Sequence, residues 1–263
     1  MQIHYPIITF PDNFKCFGYK SETLFLFLSK IVTDKQIFLV VTFGIFFFSM
    51  ILHELAHGFT AFWLGDKTAK KEGRLSLNPL VHIDPLSTLV MPVLTYFFLG
   101  FFLGGAKPIP VEPQKLSWGK VGDFLVTIMG PLVHLLLACL LALSLHWIDS
   151  ESLWAWILAF SFQIQVFLLL FNLLPIPPLD GFFVLRLLLP SKWAKFWDRY
   201  ILPFGTVILI CVLLLLFYTH TFVYVEKGVD SLMNLFAKGM GTAEQLEYIL
   251  DYNSLREALG FDG

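Results

Sequence analysis

Residues 44–65 read GIFFFSMILHELAHGFTAFWLG, an apolar run interrupted by His53, Glu54 and His57. The run continues back to Ile37, and Glu54 is the one formally charged residue between Ile37 and Gly65. About 20 apolar residues in a helix cross a bilayer. A helix that carries ionisable groups at membrane depth does so at a cost of a few kcal/mol each unless they are partnered or functional. Helix geometry places positions i and i+4 on one face, one turn apart. His53 and His57 can therefore present two imidazoles to one metal ion, with Glu54 beside them as a proton acceptor for water. That is the mechanical content of the His-Glu-x-x-His pattern.

The rest of the chain supports a membrane setting. It is 57% hydrophobic and only 14% charged, with a mean hydropathy of +0.73. A soluble domain carries about 25% charged residues, so lipid must be the solvent for much of this chain. A net charge of −2 gives no basis for nucleic-acid binding. Cys16, Cys139 and Cys211 match neither a zinc-knuckle nor a disulfide spacing.

Further apolar stretches lie at about 86–103, 124–148, 153–174 and 201–218. The expected fold is an all-α polytopic membrane protein with about four to six membrane segments, and a short β-like connector after the first helix. Residues 1–36 do not fit a cleavable signal and are expected to form an interfacial segment. Residues 37–218 are expected to form the membrane domain, and 219–263 an amphipathic tail lying outside the bilayer, helical for example at Ala243–Leu259. The link Asp149–Ser150–Glu151 lacks basic residues, whereas Arg186, Lys192, Lys195 and Arg199 cluster beyond the fourth stretch. The excess of basic residues on the cytoplasmic side then puts Asp180 near the cytoplasm. For the histidine pair to share that depth, 86–103 must start and end on one side, as a re-entrant hairpin that Pro92 and Gly100 permit. Lys15, Lys20, Lys30 and Lys35 would then lie outside, against the charge rule.

A catalytic zinc takes three protein ligands and a water. Candidates for the third ligand are His82, Asp84, Asp123, His134, His146 and Asp180. Asp180 stands out because Pro175, Pro177 and Pro178 break the preceding helix. Irregular backbone at membrane depth is tolerated only where protein buries it or water reaches it. His134 is expected to bond across helices, His146 to sit at the interface, and His82 and Asp84 to serve a turn. Asn172 offers either a substrate-binding amide or helix-packing glue.

HELAH, GDKTAKKEGRLSLNPLVHIDP, AKPIPV, GPLVH and NLLPIPPLDG, in this order from Phe48 to Leu185, resemble the site-2 protease family of intramembrane zinc metalloproteases. The resemblance implies a compact form without PDZ or CBS domains. It implies zinc on His53, His57 and Asp180, Glu54 as catalytic acid/base, and Asn172 near a bound substrate strand. It also implies single-span membrane proteins as substrates, and a prokaryotic inner membrane with the site towards the cytoplasm. Two positions depart from the family pattern: Leu86-Ser87-Thr88 stands where relatives usually read Gly-Thr, and His134 where they usually have Asn. The rival readings are a membrane metal transporter, in which Glu54 would be a ligand, and an inactive homologue that binds membrane proteins.

Overall fold

The computed structural model describes residues 34–92, 104–219 and 221–250. The chain is an all-α polytopic membrane protein. Nine helices are present among the described residues: α1 (Asp34–Trp63), α2 (Thr68–Lys71), α3 (Lys120–Ser144), α4 (Leu153–Asn172), α5 (Asp180–Leu188), α6 (Ser191–Tyr200), α7 (Gly205–Tyr218), α8 (Phe222–Met240) and α9 (Ala243–Leu250). Four helical runs are long and apolar enough to span a bilayer: Gln36–Trp63, Lys120–Trp147, Leu153–Asn172 and Ser191–Leu216. The last begins ten residues before the apolar stretch at 201–218, because the basic connector is itself helical as α6.

α1, α3 and α4 form the centre. Ala138 and Ala142 on α3 and Ala155 and Ala159 on α4 are all fully buried. Small residues let helix backbones approach closely where no hydrophobic force from water drives them together. Phe162, Val166, Trp156 and Ile157 fill the space around them. The tail is part of this core: Val229, Met233 and Ala237 of α8 and Leu246 and Ile249 of α9 are buried in the same cluster. The i, i+4, i+8 spacing on α8 gives the one apolar face that this packing needs.

The connector between α1 and α3 differs from the β-like form expected. No strand occurs among the described residues. α1 closes in a Schellman-type turn, with Gly65 N–H on Phe62 O and Asp66 N–H on Ala61 O. α2 and short 3-10 turns follow, one of them over Pro79–His82. Residues 104–112 form neither helix nor strand, and side chains satisfy part of their backbone. Arg74 Nη2 donates to Lys107 O at 2.7 Å and Pro108 O at 3.3 Å. Asp66 accepts from Glu112 N–H at 2.7 Å. Pro108 and Pro110 carry no N–H to offer a ladder, which is the physical reason a strand does not form.

The ends of the 86–103 excursion meet. Gly105 N–H donates to Ser87 O at 2.9 Å, and the Thr88 hydroxyl donates to Gly105 O at 2.8 Å. A re-entrant hairpin imposes this condition; residues 93–103 themselves lie outside the described residues, as do 1–33 of the expected interfacial segment and 251–263 of the tail.

Asp66 is the joint between α1 and residues 104–112, also accepting from Thr68 N–H and hydroxyl. Burial pushes its carboxyl up, but the Glu112 and Thr68 donors and the Lys115 charge outweigh this and hold it below its ordinary value. The stability it contributes is present at neutral pH and is lost as pH falls through that lowered value. Asp66→Asn is expected to destabilise the protein by about 1–3 kcal/mol at neutral pH. Thermal unfolding in detergent should show the gap between variant and wild type closing below a pH of about 4.

Candidate metal centre

His53 and His57 lie on the inner face of α1, 3% and 9% exposed. α4 ends at Asn172, where the prolines that follow stop the helix. The chain then turns through 173–179 and restarts as α5 with Asp180 in its first turn. This restart carries the Asp180 carboxylate to the two imidazoles. Its Oδ2 lies 3.2 Å from His53 Nε2 and its Oδ1 lies 3.4 Å from His57 Nε2. The two Nε2 atoms are 3.1 Å apart.

These separations test the fit of a metal directly. Zinc bonds of 2.0–2.1 Å in a tetrahedron require ligand atoms about 3.3 Å apart. The two imidazole nitrogens stand near that spacing, and each has a different oxygen of the Asp180 carboxylate at a similar distance. Among the described residues, His53, His57 and Asp180 form a group of ligating side chains that could hold one ion. His57 Nδ1 lies 2.7 Å from the Val126 carbonyl, which can only accept. Nδ1 therefore carries the hydrogen and Nε2 presents its lone pair to the centre.

Two glycines make the approach possible. A Cβ on Gly130 would lie 2.3 Å from His57 Nε2 and 2.6 Å from His53 Cε1. A Cβ on Gly181 would lie 2.1 Å from Leu173 O, so only glycine lets α5 fold back on the end of α4. The far end of α5 is tied by Arg186, which pairs with Asp198 of α6 and lies 3.7 Å from Asp123 of α3.

Glu54, next to His53 on α1, is engaged with the connector. Its Oε2 accepts the Ile109 N–H at 2.8 Å. The 104–112 segment is thus held at three points, by Arg74, Glu54 and Asp66, and forms a wall of the site. Asn172 is buried, and its Nδ2 donates to Leu168 O at 2.9 Å.

The other candidates are engaged elsewhere. His82 bonds Ser76 O at 2.7 Å, and Asp84 accepts from the Ser87 N–H and hydroxyl. His146 bonds Met240 O of α8. His134 lies against His53 and bonds Gln165 of α4. Four contributors escaped the sequence reading: Gly130, the Ile109 N–H, the Arg74–Asp66 clamp and Gln165. Gln165 alone had a signal, as a polar residue in an apolar span.

Gly130→Ala is expected to weaken divalent-metal binding roughly tenfold or more, by pressing a methyl group into both imidazoles. Zinc titration of the purified variant in detergent, with its unfolding temperature as a fold control, checks this.

Comparison with known proteins gives relatives of one kind. The chain is 37% identical over 204 residues to "Putative zinc metalloprotease YwhC" of Bacillus subtilis, covering 72% of this chain and 87% of that protein. It is 35% identical over 149 residues to "Putative zinc metalloprotease Rip2" of Mycolicibacterium smegmatis, covering 56% of each chain. The Rip2 of Mycobacterium tuberculosis is 36% identical over 141 residues, with 52% of this chain and 53% of that protein covered. No family model and no solved structure matches the chain. Identity at this level, over seven-eighths of YwhC, leads to one conclusion: the chain belongs to the zinc metalloprotease family of which YwhC is a member.

Proposed function

We propose that this protein is an intramembrane zinc metalloprotease of the site-2 type, which hydrolyses peptide bonds within or near the membrane segments of single-span proteins. The observation that supports the reading is the meeting of the His53 and His57 Nε2 atoms, on a membrane helix that also bears Glu54, with the Asp180 carboxylate of α5. A zinc ion on these ligands supplies Lewis-acid chemistry that makes water nucleophilic at neutral pH and polarises a scissile carbonyl.

The chain's own groups do the rest. Glu54 takes the proton from the attacking water and returns one to the leaving amine. The Ile109 N–H holds one oxygen of that carboxylate, which orients the other for proton transfer. With its Nδ2 on Leu168 O, Asn172 offers its amide oxygen to a substrate N–H. A substrate segment must unwind first, because helical carbonyls are already bonded. Helix-weakening residues in the substrate lower that cost.

The site is assigned to the cytoplasmic side of a prokaryotic inner membrane. Two contacts gather the neighbouring ends of α1, α3 and α5: Ser117 N–H on Leu64 O, and Lys120 Nζ on Leu187 O. Around these ends lie Lys67, Lys70, Lys71, Arg74, Lys107, Lys115, Lys120 and Arg186. The opposite turn between α3 and α4 carries Asp149 and Glu151. That asymmetry supports the orientation.

The test compares wild type with Glu54→Gln in liposomes that contain a single-span substrate, with bound zinc measured in parallel. Cleavage is expected to fall by about 100-fold or more while zinc stays bound, as loss of general-base catalysis requires. Bound zinc with no cleavage by wild type of any single-span substrate would sink the protease reading in favour of metal transport.

A further inference from the structure

His134 of α3 and Gln165 of α4 form a buried polar pair that the proposed chemistry does not use. Both are 0% exposed. His134 Nδ1 lies 2.8 Å from Gln165 Oε1. An amide oxygen only accepts, so Nδ1 carries the ring hydrogen and Nε2 is left as an acceptor. That Nε2 is buried and has no hydrogen-bond partner.

His53 shows the complementary deficit. With its Nε2 turned to the ligand centre, its Nδ1 carries the hydrogen, and that atom too is buried without a partner. The two rings are neighbours, with centroids 4.8 Å apart and planes tilted by 33°. An unpartnered donor and an unpartnered acceptor thus lie on adjacent buried rings. The contrast with His57 is instructive, since its Nδ1 has the Val126 carbonyl at 2.7 Å. A ligating histidine almost always donates its second N–H to an acceptor, which fixes the tautomer and the ring orientation. Within reach of His53, one unpartnered acceptor is the His134 Nε2.

We infer that His134 is the positioning residue for His53: its Nε2 accepts the His53 Nδ1 hydrogen, and Gln165 holds His134 in the tautomer able to do so. The relay runs from the ligand centre through α3 to α4, so one ligand on α1 is oriented by side chains of two other helices. The inference rests on the zinc reading above.

The experiment uses the full-length chain in detergent, titrated with zinc alone against a chromophoric chelator. Wild type is compared with His134→Leu, His134→Gln, Gln165→Leu and the double leucine variant, with unfolding temperature in excess chelator as a fold control. His134→Leu is expected to lose about 10–100-fold in zinc affinity, the range typical of outer-shell partners. His134→Gln places an amide oxygen near the Nε2 position and is expected to stay within about threefold of wild type. Gln165→Leu should weaken zinc binding on its own yet add nothing in the His134→Leu background, because both act through one relay. Equal losses in the leucine and glutamine variants of His134 would overturn the inference, as would unchanged affinity in His134→Leu. If His134→Leu does not fold, unchanged affinity in Gln165→Leu overturns it alone. A wild type that holds no zinc would instead overturn the metalloprotease reading.

Discussion

A carboxylate must meet two imidazoles carried by a helix long and apolar enough to span a membrane, and the architecture follows from that need. None of the three can be left alone in lipid without cost. An unbroken α4 would carry Asp180 away along its own axis. Pro175, Pro177 and Pro178 stop the helix, and the restart at α5 sends the carboxylate back towards α1. Gly181 permits the fold-back and Gly130 opens the space for the imidazoles. Arg186, tied to α6 and close to Asp123 of α3, holds the other end of the short helix in place.

The same logic governs the irregular segments. Irregular backbone near a membrane needs partners for every N–H and C=O. Residues 104–112 find some of theirs in the backbone of Ser87 and His82 and others in side chains: a guanidinium, and two carboxylates of which one is Glu54. On the proposed chemistry, Glu54 serves both the reaction and the backbone of this segment. Glu54 serves the backbone of its own protein while standing beside the ligands.

Much of this was legible in the sequence because the signals are local. A 3.6-residue period puts His53 and His57 on one face without knowledge of any other helix, and three prolines announce the break before Asp180. The positions of three spans followed from apolar length, while the last starts earlier because the basic connector before it is helical. What escaped was set by contacts between distant segments. Nothing in GPLVH alone says that Gly130 touches two imidazoles on another helix, or that the Ile109 N–H reaches Glu54 across 55 residues. The connector looked β-like because it is rich in proline. Several of its hydrogen bonds go to side chains, which a residue pattern does not reveal. The tail is expected from sequence as an amphipathic segment outside the bilayer, for example at Ala243–Leu259; residues of α8 and α9 are buried in one cluster with residues of α4.

The meeting of Ser87 and Thr88 with Gly105 has a wider consequence. It pinches the chain shut at the neck of an excursion, directly before the segment that walls the site. Once a neck is fixed, doubling the chain beyond it costs only about 0.6 kcal/mol in closure entropy. Length and composition inside the neck are thereby uncoupled from the register of Ile109 with Glu54. A chain so tied can vary in length beyond the neck while the contact between Ile109 and Glu54 keeps its register.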